Sequence, residues 1–154
     1  MKDNIISFIV TFGGLGKVKY FPGTVGSLAG LLFGVLIILI TDHKVFLISF
    51  FVLTLIAIFA TDEYLKKSEN KDPQEIVIDE VLGQWIAIAL IPFSPISLFL
   101  AFLIFRFLDI SKLFPINKIE KIDGYAGVIG DDIFAGIETS IIIILLHLFG
   151  LISW

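Results

Sequence analysis

The chain has 154 residues, 57% of them hydrophobic and only 17% charged, with mean hydropathy +1.00 and a formal net charge of −4. A soluble domain normally carries about 25% charged residues, so the composition excludes an ordinary water-covered globule and points to an integral membrane protein. Cysteine is absent and there is no basic tail, which excludes disulfides, thiolate metal sites, cysteine nucleophiles and a nucleic-acid partner.

The N-terminal stretch MKDNIISFIVTFGGLG has an early lysine, an aspartate and a short apolar run, but no small-residue cleavage site, and it is not read as a signal peptide. Residues 5–12 are expected to form a short interfacial or buried helix. FPGTVGSLAG (21–30) then leads into the first long apolar run. Gly23 and Gly26 free the backbone there, Thr24 or Ser27 can cap a helix, and the exposed N–H groups would make an anion site. A Pro-Gly turn with a serine cap explains the stretch equally well, and it matches neither a Walker loop nor a dinucleotide fingerprint.

A helix needs about 20 apolar residues to cross the hydrocarbon, and about 17 at the least. Residues 25–40 and 45–60 fall slightly short, and Asp42, His43 and Lys44 between them leave room only for a tight turn. The pair predicts a helical hairpin. Residues 76–91 and 96–108 predict a second, because Pro92 and Pro95 cannot lie inside an unbroken helix. Residues 133–154 make a fifth segment, with Trp154 as an interfacial anchor.

Three charged stretches border these runs. In DPQEIVIDE (72–80), Asp72, Pro73 and Glu75 read as N-cap, N1 and N3 of a helix. That places Asp79 and Glu80 in the second turn, with Asp79 on the face of Glu75 and Asp72. Adjacent acids at the edge of hydrocarbon repel each other and resist desolvation, so they need a cation. FRFLDISK (105–112) spaces Arg106, Asp109 and Lys112 three apart; they are either snorkelling cations with a surface ion pair or phosphate ligands beside a metal-site acid. In GDDIFAG (130–136), Asp131 and Asp132 stand at the mouth of the last run. They either favour the helix dipole or, with Gly130, Ala135 and Gly136 allowing close helix approach, join Asp79 and Glu80. Oxygen-only ligands suit a hard cation, with Mg2+ expected where phosphate adds ligands.

Of the eleven basic residues, only Lys44 falls on one side of the predicted spans; the other ten fall on the opposite side. By the positive-inside rule the N-terminus and both polar loops are expected in the cytoplasm. The acids cluster at the same face. His43 lies in the far turn and His147 about 21 Å beyond Ile133, so neither can join the acidic cluster. Glu138, inside the last run, is expected to face the bundle interior, either supporting a metal ligand from behind or as a buried protonated acid.

Taken together, PGTVGS (22–27), DPQEIVIDEVLG (72–83), FRFLDISKLFPI (105–116) and GVIGDDIFAG (127–136) resemble the phosphatidylglycerophosphatase A family in content and order. The resemblance implies a magnesium-dependent membrane phosphatase that removes the terminal phosphate of phosphatidylglycerophosphate and leaves phosphatidylglycerol. It also implies that Asp79, Glu80, Asp109, Asp131 and Asp132 matter for activity. The sequence-level expectation is thus an all-α integral membrane bundle of about five transmembrane helices, forming one domain over residues 1–154. Its active site faces the cytoplasm from the inner, cytoplasmic membrane. Asp79, Glu80, Asp131 and Asp132 are expected to hold Mg2+, with Asp109 a further acid. Arg106, Lys112, Thr24, Ser27 and Lys17 are expected to bind the phosphate of a phospholipid substrate, and no protein partner is required. The rivals are a phospholipid headgroup phosphotransferase, which would carry a denser ladder of aspartates, and a small transporter or cation-binding scaffold, which would spread its acids through the membrane depth.

Overall fold

The computed structural model describes residues 2–70 and 73–152; the expectations placed on Lys71, Asp72, Trp154 and the Lys2 side chain lie outside that description. Among the described residues there are helices and no strands: α1 Lys2–Val10, α2 Pro22–Ile40, α3 His43–Leu65, α4 Ile78–Ala89, α5 Pro95–Ser111, the short α6 Ile116–Ile119 and α7 Tyr125–Leu148, with one 3₁₀ turn at Leu15–Lys17. The all-α expectation holds.

Local chemistry sets the helix ends. α2 opens with Pro22 in its first turn, where a missing N–H costs nothing. Thr24 and Ser27 therefore lie inside the helix and do not cap it. The Asp42 side chain accepts the Val45 N–H at 2.9 Å and starts α3, which closes the predicted first hairpin. Ser94 caps α5 in the same way, ahead of Pro95.

Two helix starts differ from expectation, in opposite directions. α4 begins at Ile78, after a turn that contains Pro73 and Glu75, and Glu75 accepts a hydrogen bond from the Tyr64 hydroxyl. Asp79 and Glu80 consequently stand in the first turn, where unsatisfied N–H groups favour negative charge, and Glu75 does not share their helix face. α7 begins at Tyr125, with Gly124 before it at φ 80°. Asp131 and Asp132 are thus in the second turn, not at the mouth, and the end-dipole reading of that pair is set aside.

α4 is the central element. Nine of its twelve residues are buried, which is the mark of a helix enclosed on all sides, and it packs against α2, α3, α5 and α7. Glycines make the approach possible. A Cβ at Gly26 would come 2.7 Å from Val77 Cβ, and one at Gly30 would come 2.9 Å from Val81 Cα. The Trp85 indole N–H donates to the Gly30 carbonyl at 2.8 Å across the same seam. On the other flank a Cβ at Gly136 would overlap the Gly83 carbonyl oxygen, so α4 and α7 touch backbone to backbone. Ser140 adds a hydrogen bond from its hydroxyl to the Ile86 carbonyl at 2.9 Å.

The outer surface is apolar: Leu32, Phe51, Leu55, Phe59, Phe99 and Leu103 are all exposed, far more than a soluble protein leaves to water. α2 and α3 are long and apolar enough to cross a membrane. Five spans are not established. α4, at twelve residues, rises only about 18 Å against about 30 Å of hydrocarbon. Glu138 is half-buried beside exposed Ile137, not enclosed as expected. His147 is buried and meets Ser97, Nε2 to Oγ 3.0 Å, away from the acids.

Candidate active site

The Gly83–Gly136 contact fixes what lies one turn toward the helix starts. On α4 that is Asp79 and Glu80; on α7 it is Asp132 with Asp131 beside it. One carboxylate oxygen from each of Asp79, Glu80 and Asp132 falls within 4.8 Å of the other two. Glu80 Oε2 and Asp132 Oδ1 are buried and have no hydrogen-bond partner. Orphaned anionic oxygens at such spacing repel one another strongly in a poorly solvated place. Three converging carboxylates, two of them with an oxygen that no donor meets, fit a hard divalent cation.

Cations stand beside this cluster and are already engaged. Arg106 pairs with Asp109 and donates to Ser27 Oγ at 3.2 Å. Lys112, at the left-handed end of α5, reaches Asp109 at 2.8 Å and Asp131 at 2.6 Å. Burial alone would lower the Lys112 pKa, but the charges of Asp132 and Asp109 and the bonds to Asp109 and Asp131 outweigh it and hold the ammonium above its ordinary value. Lys112 therefore stays protonated at neutral pH.

These groups line one cavity of about 920 Å³, walled by the start of α2, the start of α4, the end of α5, the segment after α6 and the start of α7. Gly23 belongs to the wall for a steric reason, since a Cβ there would overlap Glu80 Oε1. The arrangement combines a carboxylate cluster, two fixed cations and a helix start in one half-open space. It suits a phosphorylated ligand whose negative charge must be met from several directions.

The family profile of phosphatidylglycerophosphatase A matches residues 8–147, nearly the whole chain. The chain belongs to the phosphatidylglycerophosphatase A family. Among its relatives, a Haemophilus influenzae protein named phosphatidylglycerophosphatase A is 34% identical over 142 residues, 91% of this chain and 87% of that one. A protein of the same name from Escherichia coli K12 is 31% identical over 82% of this chain and 74% of its own length. A Bacteroides thetaiotaomicron protein, provisionally named a phosphatidylinositol-3-phosphatase, is 29% identical over 84% and 86%. No solved structure matches the chain.

Within this chain, the predicted residues divide into groups. Asp79, Glu80 and Asp132 converge as described. Asp131 turns to Lys112, and its second oxygen accepts the Asp132 backbone N–H at 2.9 Å, so it lies outside the tight oxygen cluster. Asp109 sits between Arg106 and Lys112. Thr24 lines the cavity, whereas Ser27 lies fully buried behind Arg106, its hydroxyl donating to the Gly23 carbonyl at 2.8 Å. Lys17 is exposed at the end of the 3₁₀ turn and is not among the residues lining the cavity. Sequence reasoning passed over Gly23 as a steric partner of Glu80, and Glu120 and Lys121 in the wall. Only the PGT spacing hinted at the first, and nothing at the others.

Proposed function

We propose that this protein hydrolyses the terminal phosphate of phosphatidylglycerophosphate, giving phosphatidylglycerol and inorganic phosphate, at the cytoplasmic face of the inner membrane. The observation that carries the reading is the convergence of Asp79, Glu80 and Asp132 beside Arg106 and Lys112 in one cavity. Membership of a phosphatase family supports the activity, and the exposed apolar belt supports a lipid setting. The domain covers residues 1–154. In the bilayer α2 and α3 cross as a hairpin; α5 and α7 also cross, and the short α4 is held among them with its acidic end at the headgroup level.

Mg2+ would be held by Asp79, Glu80 and Asp132, and when bound it supplies charge neutralisation and polarisation of the phosphoryl group. The protein's own groups do the rest. Arg106 and Lys112 hold phosphoryl oxygens, and their fixed positions mean that little reorganisation is needed as charge develops on those oxygens. Asp109 and Asp131 fix the direction of both cations. Ser27 holds Arg106 from behind, and Thr24 with the start of α2 offers donors to the phosphate. An acid of the cluster takes the proton of the attacking water. Direct attack by water is preferred, as no DxDxT-like stretch is present.

The test is phosphate release by the purified protein in mixed micelles, with phosphatidylglycerophosphate or phosphatidic acid, with and without Mg2+. Release from the first lipid without any added alcohol is expected. No inorganic phosphate, but transfer of the phosphoryl group onto an added second alcohol, would favour a headgroup phosphotransferase. No release under any condition would leave the cation-binding scaffold standing.

A further inference from the structure

Among the described residues, three cationic side chains line the cavity: Arg106, Lys112 and Lys121. The first two are tied to carboxylates of its floor. Lys121 differs. It is exposed, and among the described residues it enters no ion pair.

Its backbone is nonetheless held in place. Ile116 anchors α6 in the core with no exposure, and the turn that follows closes with the Ile122 N–H donating to the Ile119 carbonyl at 2.9 Å. That turn rests on α7 at two glycines. A Cβ at Gly130 would come 2.9 Å from Ile119 Cγ2, and one at Gly127 would overlap the Ile122 carbonyl oxygen and lie 3.1 Å from that of Glu120. Lys121 is thus seated on the helix that carries Asp131 and Asp132, at the wall of the same cavity.

The chemistry of the substrate gives this position a use. A phosphate monoester engages Arg106 and Lys112 at the floor. In phosphatidylglycerophosphate one further anion follows, the phosphodiester, separated from the scissile phosphorus by a single glycerol unit. The cavity, about 920 Å³, has the size of a site for a whole small ligand, which leaves room for the second anion as well. Of the charged groups remaining on its wall, Glu120 and Asp123 repel a phosphodiester and Lys121 attracts it.

We propose that Lys121 binds the phosphodiester of the substrate and so selects a lipid headgroup carrying two phosphates over a simple lipid monoester. The inference rests on the phosphatase reading above. The contact is remote from the reacting phosphorus and is made equally in ground and transition states, so its loss raises KM and spares kcat.

The experiment compares the wild type, Lys121→Gln and Lys121→Arg, as full-length proteins in mixed micelles, on phosphatidylglycerophosphate and on phosphatidic acid. A charge-assisted hydrogen bond lost to Gln should raise KM for phosphatidylglycerophosphate about tenfold. The ratio of kcat/KM between the two lipids should fall with it, and Arg should preserve that ratio. Equal losses on both lipids, or an unchanged ratio in Lys121→Gln, overturn the role of Lys121 alone. A wild type that hydrolyses phosphatidic acid but not phosphatidylglycerophosphate overturns the functional reading, and this inference with it.

Discussion

Glu80 and Asp132 each leave a buried oxygen without a partner, and an isolated anion in such a place is held only by a compensating charge. Asp132→Asn and Glu80→Gln remove a proposed metal ligand while keeping shape, so on that reading each should lower phosphate release at least about 100-fold. Circular dichroism and gel filtration in detergent should show the fold unchanged; substantial release by either variant would argue against the cluster as the reaction centre. Ser27 acts one step away, through Arg106. Ser27→Ala should therefore cost less, about tenfold in kcat/KM, and Ser27→Thr should recover part of it.

At the scale of elements, the approach of α4 to α7 decides whether the acids meet. Gly136 has the Gly83 carbonyl in the space a Cβ would fill, with Ile86 Cβ at 3.1 Å. Backbone cannot move aside as a flexible side chain would. Gly136→Val should cost about 3 kcal/mol, read as a lowered thermal midpoint in detergent, and should abolish phosphate release because the two acidic turns are pushed apart. A variant with full activity and an unchanged midpoint would mean that the helices approach elsewhere. The late start of α4 belongs to this scale too. Pro73 and Glu75 look like the first turn of a helix, but Glu75 is drawn to Tyr64 on α3 and Val77 donates its N–H to the Val10 carbonyl at 2.9 Å. Tertiary bonds override the local capping pattern there.

For the molecule as a whole, seven acids and three cations among the described residues line the cavity at one end of the bundle. Mg2+ held there, as proposed, would stabilise the folded state by linkage, about 2.7 kcal/mol at a hundredfold excess over Kd. Chelation should therefore lower the thermal midpoint as well as silence phosphate release, and added Mg2+ should restore both; a midpoint indifferent to chelator would count against a metal in the cluster. Orientation can be read independently, because the chain has no cysteine. In inverted vesicles, Lys118→Cys should react with an impermeant thiol reagent and Lys44→Cys should not; the reverse pattern would turn the protein over. Much of this was legible in the sequence. Apolar run lengths, the Asp42 and Pro95 breaks and the one-sided charges determined the helical class and its two hairpins, because caps and hydropathy act locally. The acids that converge in the cavity were visible for the same reason: carboxylates beside apolar runs need an explanation wherever they fold. Which of them share oxygens, and which are occupied by Arg106 and Lys112, was decided only by tertiary structure. Those distances depend on backbone contact between glycines more than fifty residues apart; the small residues around Gly136 permitted a close approach, but its partner and register are set only in the folded chain.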